Sequence, residues 1–230
     1  MIRDIRALTF DLDNTLWETD ISILNAEAVM ASHLRNLAPE AWMADFTLEN
    51  FRKIRALVVT NHSEISHNFS AVRRKTLALW FESKGAKVSQ SEDLADEGFR
   101  AFYRERQNVT PYADAESTLE ALARKYPIGA ITNGNADVME MSLGRFFQFS
   151  LQAQEFPKAK PHPMMFKEAL TRFAIEPHHC LHIGDNLEHD IVGAQAAGMK
   201  AAWINTRQHS AAHVIADITI ESLRDLLKYL

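Results

Sequence analysis

The sequence of 230 residues contains only one cysteine, Cys180, so no disulfide can form within the chain. It also lacks any uninterrupted apolar run near the ~18 residues that a membrane-spanning helix needs. Its first residues include acidic side chains where a signal peptide would be apolar. Charge of one sign is not in large excess, because 25 basic and 30 acidic residues give a net charge of −5. These absences predict a cytoplasmic protein whose main partner is neither a membrane nor a nucleic acid.

Glycine is also scarce, with eight residues, and no segment has the G-x-G-x-x-G or Walker-type spacing of a nucleotide-binding loop. What the sequence does contain is a regular alternation between short apolar runs and segments with helical spacing of apolar residues. Short apolar runs that predict buried strands occur at residues 5–10, 128–132, 149–151, 180–183 and 201–204. Polar or glycine-containing residues and then a helical pattern follow the first four runs. This alternation predicts an α/β fold with a doubly wound, Rossmann-like parallel sheet.

The stretch from residue 18 to residue 108 differs from the rest, because no convincing strand occurs in it. Apolar residues recur at helical spacing in four segments, which begin near Ile21, Leu48, Phe69 and Ala95. We therefore predict a four-helix insertion of residues 18–108. The α/β core would then be formed by residues 1–17 and 109–230.

Residues typical of helix ends occur inside this insertion. Thr47 and Ser91 are predicted N-caps, and Gly85 is predicted to stop a helix at its C-terminal end. Two clusters of basic residues, at 52–55 and 73–75, are interpreted as solvated helix faces, because the insertion has comparable numbers of acids and bases.

Side chains suited to catalysis follow four of the predicted strands. Ligands of an open parallel sheet bind beyond the carboxyl ends of its strands, so these side chains are expected to meet at one rim. They are Asp11, Asp13 and Thr15 after the first strand, Thr132 and Asn133 after the second, Lys160 after the third, and Asp185 and Asp190 after the fourth.

This combination of acids, hydroxyl and lysine predicts phosphoryl transfer. Asp11 and Asp185 supply the hard oxygen ligands that Mg²⁺ prefers. The Lys160 ammonium would offset the repulsion between an anionic nucleophile and a phosphate. Asp11 can attack phosphorus to form an acyl phosphate, and Asp13 can protonate the leaving oxygen and then activate water. Thr132 offers a hydroxyl donor to the phosphate.

The same segments resemble, in order, the four motifs of the haloacid dehalogenase-like hydrolases. The matching segments are Asp-Leu-Asp-Asn-Thr at 11–15, Thr-Asn-Gly at 132–134, Lys-Pro at 160–161, and Gly-Asp through Asp at 184–190. The resemblance implies that Asp11 is the nucleophile and Asp13 the acid and base. It also implies that Asp11, the backbone carbonyl of Asp13, and Asp185 bind Mg²⁺.

The resemblance further implies that Thr132, Asn133 and Lys160 hold the phosphate. Asp190 would orient Lys160 or the metal-bound waters without binding the metal itself. The helical insertion lies where this family has a helical cap, which implies a lid that closes over the substrate.

Within the family, residues 130–136 and the pair Trp203-Ile204 resemble the bacterial flavin mononucleotide phosphatases. Those enzymes are also linked to a ribitylamino-uracil phosphate intermediate of riboflavin synthesis. The resemblance therefore implies a small phosphomonoester as the partner: flavin mononucleotide, a riboflavin-pathway intermediate, or another nucleotide or sugar phosphate.

Three other functions fit the fold class. A dehalogenase would attack carbon with Asp11 and need no metal, but displacing halide needs no general acid at Asp13. A receiver module would have its phosphorylated aspartate on a middle strand of the sequence and an adjacent acidic pair, and neither fits. A non-catalytic phosphate-binding protein has no need for acids at every motif position.

Two further groups of residues are weighed and set aside. Zinc is not predicted at His178, His179, His182 and His189, because strand alternation places His179 and His182 on opposite faces. His182 is instead predicted to be a packed, hydrogen-bonded residue. Lys158 competes with Lys160 for the role of phosphate lysine, but only Lys160 directly precedes the proline.

Overall fold

The computed structural model describes residues 4–206 and 214–230 of the chain. The chain divides into two compact units. The core unit comprises Met1–Thr19 and Val109–Leu230, and the helical unit comprises Asp20–Asn108. The helical unit begins two residues after the start of the predicted insertion and ends at the same residue.

The core unit contains a parallel sheet, which confirms the predicted α/β class. Its described strands are β1 (Ala7–Phe10), β2 (Ile128–Thr132), β3 (Phe149–Gln152), β4 (Cys180–Gly184), β5 (Lys200–Ile204) and β6 (Ile218–Ile220). They lie in the order β3-β2-β1-β4-β5-β6, and all neighbouring pairs are parallel. The sequence analysis missed β6, because three residues give too short a run to be distinguished from a loop.

The α-helices of the described chain belong to both units. In order they are α1 (Thr19–Leu37), α2 (Glu40–Met43), α3 (Leu48–Asn61), α4 (Phe69–Ser83), α5 (Val88–Arg106), α6 (Ala115–Ala123), α7 (Met164–Phe173) and α8 (Gly193–Ala196). None of these helices is long and apolar enough to cross a membrane.

The sheet is covered on both faces, as strand alternation requires. Leu8 and Phe10 of β1 belong to one apolar cluster, which includes Leu119 of α6. Ala7 belongs to the cluster on the opposite face, which includes Phe166 of α7. Successive β1 side chains therefore pack into separate layers, and the carboxyl ends of the strands are left for polar groups.

The connection from β2 to β3 corrects one prediction. The sequence pattern predicts a helix there, but the structure has two 3₁₀ turns, at Val138–Glu140 and Ser142–Phe146. The Asp137 carboxylate accepts a hydrogen bond from the backbone N–H of Met139 at 3.0 Å. The same kind of cap can begin a 3₁₀ turn or a longer helix, so a capping residue does not determine the length of the element.

The helical unit has its own apolar core, with buried residues from α1, α3, α4 and α5. Two of its predicted helix ends are confirmed. Thr47 accepts from the Asn50 N–H at the start of α3. Gly85, with φ +91°, follows the C-cap of α4. Ser91 is not an N-cap, because α5 begins at Val88 and the Ser91 hydroxyl donates to the Val88 carbonyl inside the helix.

The cluster at residues 73–75 is not wholly a solvated face, and this corrects a third prediction. Arg73 is buried, and both its terminal nitrogens donate to Glu27. Its guanidinium also lies 3.6 Å from the centre of the Phe102 ring. Burial lowers the pKa of Arg73 to about 10, with the Glu27 carboxylate opposing that change. Local charge counting missed this pair because the two residues are distant in sequence.

Candidate active site

The loop after β1 turns sharply and presents two aspartates. Asn14 in this loop has a φ of +60°, a left-handed conformation that asparagine tolerates. The Asn14 side chain accepts from the backbone N–H of Thr19 at 3.1 Å. The Asp13 Oδ1 atom accepts from Trp17 Nε1 and from the Thr19 hydroxyl, both at 3.0 Å. These contacts hold one carboxylate oxygen of Asp13 in a defined place.

The Asp11 backbone joins this loop to the end of β4. Its N–H donates to the Ile183 carbonyl at 2.8 Å, which continues the β1–β4 ladder. Strand order reverses at this pair, since β2 lies on one side of β1 and β4 lies on the other. Such a switch point is where open α/β sheets bind ligands. The residues after β1 and β4 are therefore well placed to form a site.

Lys160 is the centre of the cluster of charged side chains at this rim. Its Nζ lies 2.7 Å from Asp11 Oδ1, 2.6 Å from Asp190 Oδ1 and 2.7 Å from the Ile131 carbonyl. Three donor hydrogens thus meet three acceptors. The Lys160 side chain is only 1% exposed. Its pKa is raised: burial lowers it, but the two carboxylates more than compensate.

Asp190 is held by more than the lysine. Its Oδ1 atom also lies 3.2 Å from His182 Nε2, and its Oδ2 atom accepts from the Asn186 N–H at 3.0 Å. Gly184 lies so close that a Cβ at that position would overlap the Asp190 carboxylate. Burial raises the pKa of Asp190, but Lys160 and His182 hold it below its ordinary value.

The segment after β2 holds the backbone of Lys160 in place. The Asn133 side chain donates to the Lys160 carbonyl at 2.9 Å and accepts from the Lys160 N–H at 2.8 Å. The Thr132 hydroxyl oxygen accepts from the Gly134 N–H at 2.9 Å, which leaves its own hydrogen as a donor. A Cβ on Gly134 would overlap Asp13 Oδ2, so this glycine lets the loops after β1 and β2 approach closely.

Three carboxylates at the rim could hold a metal ion. Ligand atoms of Asp11, Asp185 and Asp190 lie within 4.8 Å of one another. Burial raises the pKa of Asp11 well above its ordinary value, and the Lys160 ammonium opposes that rise. Burial also raises the pKa of Asp185 to about 6, with a further contribution from the charge of Asp190. Excess negative charge in a buried oxygen site suits a divalent cation.

The structure brings together most of the residues that the sequence singled out. Lys160 contacts both Asp11 and Asp190, and Asp185 lies beside them. Asn133 lies against the Lys160 backbone through its side chain. The sequence analysis did not identify the contacts of His182 with Asp190. The two residues are only eight positions apart in sequence, but their contact depends on how the helical segment Leu187–Val192 folds back against β4.

Comparisons with known proteins agree with this fold. Residues 5–198 match a family model described as haloacid dehalogenase-like hydrolase. A 5-amino-6-(5-phospho-D-ribitylamino)uracil phosphatase, YigB of Escherichia coli (strain K12), is 32% identical over 200 residues, or 87% of this chain and 83% of the relative. A glyceraldehyde 3-phosphate phosphatase of Pyrococcus furiosus is 28% identical over 240 residues, or 100% of this chain and 94% of the relative.

One similar solved structure is described with a different activity. A crystal structure described as 2-haloacid dehalogenase from Pseudomonas syringae pv. Tomato DC3000 is 36% identical to this chain. The similarity covers 97% of both chains, with a TM-score of 0.90.

The α/β fold and the acidic side chains at the carboxyl ends of its strands are those of a hydrolase. The chain belongs to the haloacid dehalogenase-like hydrolases, as the motifs predict. The relatives named as phosphatases support a phosphoric monoester hydrolase within this family.

Proposed function

We propose that this protein is a Mg²⁺-dependent phosphatase that hydrolyses a small phosphomonoester through an aspartyl-phosphate on Asp11. The observation that carries the proposal is the buried contact of Asp11 with Lys160, with Asp185 at the same rim. A carboxylate held against an ammonium is ready to meet a phosphate, because the lysine offsets the mutual repulsion of the two anions.

The donor set fits magnesium, and Asp11, Asp185 and the backbone carbonyl of Asp13 are the residues proposed to bind it. Asp190 is less suited as a ligand, because both its oxygens already accept hydrogen bonds. When bound, Mg²⁺ would supply positive charge that polarises the phosphate oxygens and keeps the carboxylates ionised. Asp11 and Asp185 are buried carboxylates with raised pKa values, and a bound cation would stabilise their ionised forms.

The proposed chemistry has two steps, and both use the two aspartates. An Asp11 oxygen forms a bond to phosphorus while the ester P–O bond breaks, and the leaving oxygen takes a proton from Asp13. Asp13 then accepts a proton from water, the water oxygen bonds to phosphorus, and the Asp11–phosphate bond breaks. Inorganic phosphate leaves and the Asp11 carboxylate is restored.

The residues proposed to hold the phosphate are Thr132, Asn133 and Lys160. The Thr132 hydroxyl keeps its own hydrogen as a donor. The Asn133 side chain fixes the Lys160 backbone, so its contribution to phosphate would come from its backbone N–H. One Lys160 hydrogen now directed at Asp11 would turn to the phosphate.

A haloacid dehalogenase is the second candidate, because the similar Pseudomonas structure is described as one. That reaction also uses an aspartate nucleophile, but it needs no general acid at Asp13. It would also bring an anionic haloacid to a rim where several carboxylates face a single lysine. Without a metal ion, that excess of negative charge repels the substrate, so phosphatase activity fits these residues better.

The proposed substrate class is a flavin or riboflavin-pathway phosphate. The support is the similarity of residues 130–136 to flavin mononucleotide phosphatases, together with the substrate for which the Escherichia coli relative is named. Another nucleotide phosphate or a sugar phosphate is the alternative, since a second relative is named for glyceraldehyde 3-phosphate. A single cysteine accords with the reducing cytoplasm, which we propose as the compartment.

The decisive experiment assays purified protein with p-nitrophenyl phosphate, flavin mononucleotide, nucleoside monophosphates, sugar phosphates and a 2-chloro acid. Each assay is run with Mg²⁺, with EDTA, and with Mg²⁺ restored in excess. We expect phosphate release that EDTA abolishes and Mg²⁺ recovers, and no chloride release. Chloride release that survives EDTA, without phosphate release, would establish the dehalogenase instead.

A further inference from the structure

His182 has polar contacts that the proposed chemistry does not use. It is fully buried in the middle of β4, and Thr9 of β1 lies opposite it in the parallel ladder. Its Nδ1 atom lies 2.9 Å from the Thr9 hydroxyl oxygen, and its Nε2 atom lies 3.2 Å from Asp190 Oδ1. Each ring nitrogen therefore meets one polar group, and the two groups come from different elements.

The hydrogen positions on this ring follow from its partners. Asp190 is ionised and can only accept, so the His182 Nε2 atom must carry a hydrogen. The Lys160 ammonium, 2.6 Å from the same Asp190 oxygen, disfavours a second positive charge on the ring. Burial also lowers the pKa of His182, while Asp190 opposes that change. The neutral ring then accepts at Nδ1 from the Thr9 hydroxyl, which leaves one consistent tautomer.

Packing holds the ring in this orientation. The Phe166 ring of α7 meets the His182 ring edge to face, with centroids 5.0 Å apart and an angle of 87°. Both side chains lie in the apolar layer on one face of the sheet. An imidazole fixed by two strands and one helix is a rigid donor.

We propose that His182 is a positioning residue that holds the Asp190 carboxylate and, through it, the Lys160 ammonium in contact with Asp11. The proposal rests on the proposed phosphatase function. A chain of contacts leads from the Thr9 hydroxyl through His182 and Asp190 to Lys160 and then to the nucleophile.

The carboxylate of Asp190 needs this donor to stay in place. Asn186 holds its Oδ2 atom through a backbone N–H, and His182 and Lys160 share its Oδ1 atom. Without the His182 donor, Oδ1 would keep only the Lys160 contact, and the two groups could shift together. A displacement well below 1 Å between a reacting group and its partner slows a reaction several-fold or more.

A matched pair of substitutions separates the two nitrogens of the ring. In His182→Gln the longer amide places an N–H donor near the position of Nε2, where it reaches Asp190. In His182→Asn the shorter amide reaches only the region of Nδ1, so the Thr9 partner is kept and the Asp190 donor is lost. Both variants bury a polar amide, so their structural costs are similar.

We expect His182→Asn to lower kcat for p-nitrophenyl phosphate by about 10-fold, with KM changed less than about 2-fold. His182→Gln should keep kcat within about 3-fold of the wild type. Leu170→Ala is the packing control, because it opens a cavity in the same apolar layer without removing the Phe166 ring or a polar contact. It should lower the melting temperature and leave kcat near that of the wild type.

A second measurement needs neither activity nor magnesium. Long-range ¹H–¹⁵N correlation spectra of histidine-labelled protein report which ring nitrogen carries the hydrogen, and His182→Gln assigns the signal. We expect His182 as the neutral Nε2–H tautomer. This measurement uses the wild-type protein, so it decides the contact even if the Asn variant does not fold.

The outcomes distinguish this proposal from the proposed function. Equal losses of kcat in the Gln and Asn variants, a wild-type kcat in His182→Asn, or a neutral Nδ1–H ring would each overturn the role of His182. If the wild type hydrolyses no phosphomonoester, the phosphatase proposal fails, and with it the catalytic part of this inference. The tautomer spectrum then still shows whether His182 donates to Asp190.

Discussion

The Lys160 Nζ atom lies 2.7 Å from the Asp11 Oδ1 atom, and both side chains are almost completely buried. A buried ion pair is costly to form but costlier to break, because removal of one partner leaves an uncompensated charge in the protein interior. This contact therefore makes Lys160 important to stability as well as to the proposed chemistry, and a test of its role must measure both.

Replacement of the lysine is expected to damage both properties. Lys160→Met should lower kcat/KM for p-nitrophenyl phosphate by about 10²–10³-fold, since a donor to the transferring phosphoryl group is lost. It should also lower the free energy of unfolding by about 3–5 kcal/mol, because Asp11 and Asp190 lose their shared cation. Steady-state kinetics and urea denaturation measure the two effects.

Lys158 is the matched control for this variant, because it lies two residues earlier and is exposed. Lys158→Met should leave kcat/KM within about 2-fold of the wild type, as surface substitutions usually do. A loss in Lys158→Met comparable to that in Lys160→Met would show that the lysine roles are assigned wrongly.

Asp11→Asn tests the nucleophile. The amide has nearly the same shape and keeps an oxygen for Lys160 Nζ, but it cannot attack phosphorus. We expect kcat to fall at least about 10³-fold while the circular dichroism spectrum stays that of the wild type. Turnover within tenfold of the wild type would rule out a covalent route through Asp11.

Asp13→Asn tests the proton transfer. Both steps should slow by about 10²–10⁴-fold, the usual effect of a positioned acid or base. With p-nitrophenolate as leaving group, the first step needs little protonation, so phosphoenzyme should accumulate and be trapped by acid quench. The same defect for good and poor leaving groups, without a trapped intermediate, would contradict the assigned role.

Gly134→Ala tests the close approach of the loops after β1 and β2. The new Cβ would overlap Asp13 Oδ2, so the carboxylate must move although Asp13 itself is unchanged. We expect kcat to fall at least about 10-fold, since small displacements of a reacting group are costly. The loss should be larger for alkyl phosphates than for p-nitrophenyl phosphate, because alkyl leaving groups depend more on protonation.

A useful comparison for Gly134→Ala is Gly85→Ala in the helical unit. Gly85 has a φ of +91° and open space around its Cα, so its substitution strains the backbone without touching the site. It should lower the melting temperature and leave kcat unchanged. A Gly134→Ala enzyme with normal kcat would show that Asp13 tolerates displacement.

Cys180 provides a prediction that depends on pH. Burial raises the pKa of its thiol from the ordinary value of 9.0 to about 12. The unfolded chain therefore releases this proton first, and the free energy of unfolding should fall as pH rises through that interval. Near about pH 8.5, iodoacetamide should label the native protein far more slowly than the urea-unfolded protein.

The labelling experiment is unambiguous because the chain has one cysteine. Mass spectrometry counts a single adduct, and the urea-unfolded sample gives the rate for an accessible thiol. Native labelling at that same rate would mean that β4 opens readily or that Cys180 is not buried.

The sequence alone predicted much of the core unit, because its strands and strand ends have recognisable local sequence patterns. Parallel strands buried on both faces are short apolar runs, and residues such as Asp11 and Thr132 stand where those runs end. The α/β class, the five longer strands and the family followed from these patterns. The roles of the site residues stay predictions until the substitutions above are measured.

The predictions made from the sequence were wrong or incomplete where elements are short or where local signals compete. Strand β6 has only three residues, and the segment around Val138–Glu140 has the spacing of a helix but forms 3₁₀ turns. Ser91 has a side chain typical of an N-cap, yet α5 starts one turn earlier. Helix starts are set by small differences in free energy, which packing overrides.

The contacts around Lys160 required the tertiary structure. Strand order places His182 beside Thr9, 173 residues away in sequence, while the helical segment after β4 brings Asp190 to the other nitrogen of the same ring. In the same way, Asn133 lies against the backbone of Lys160 because β2 and the segment after β3 end side by side. Residue type and spacing determine which chemistry is available at each strand end. Hydrogen bonds act over about 3 Å, so their partners are decided by which strands become neighbours and in which register.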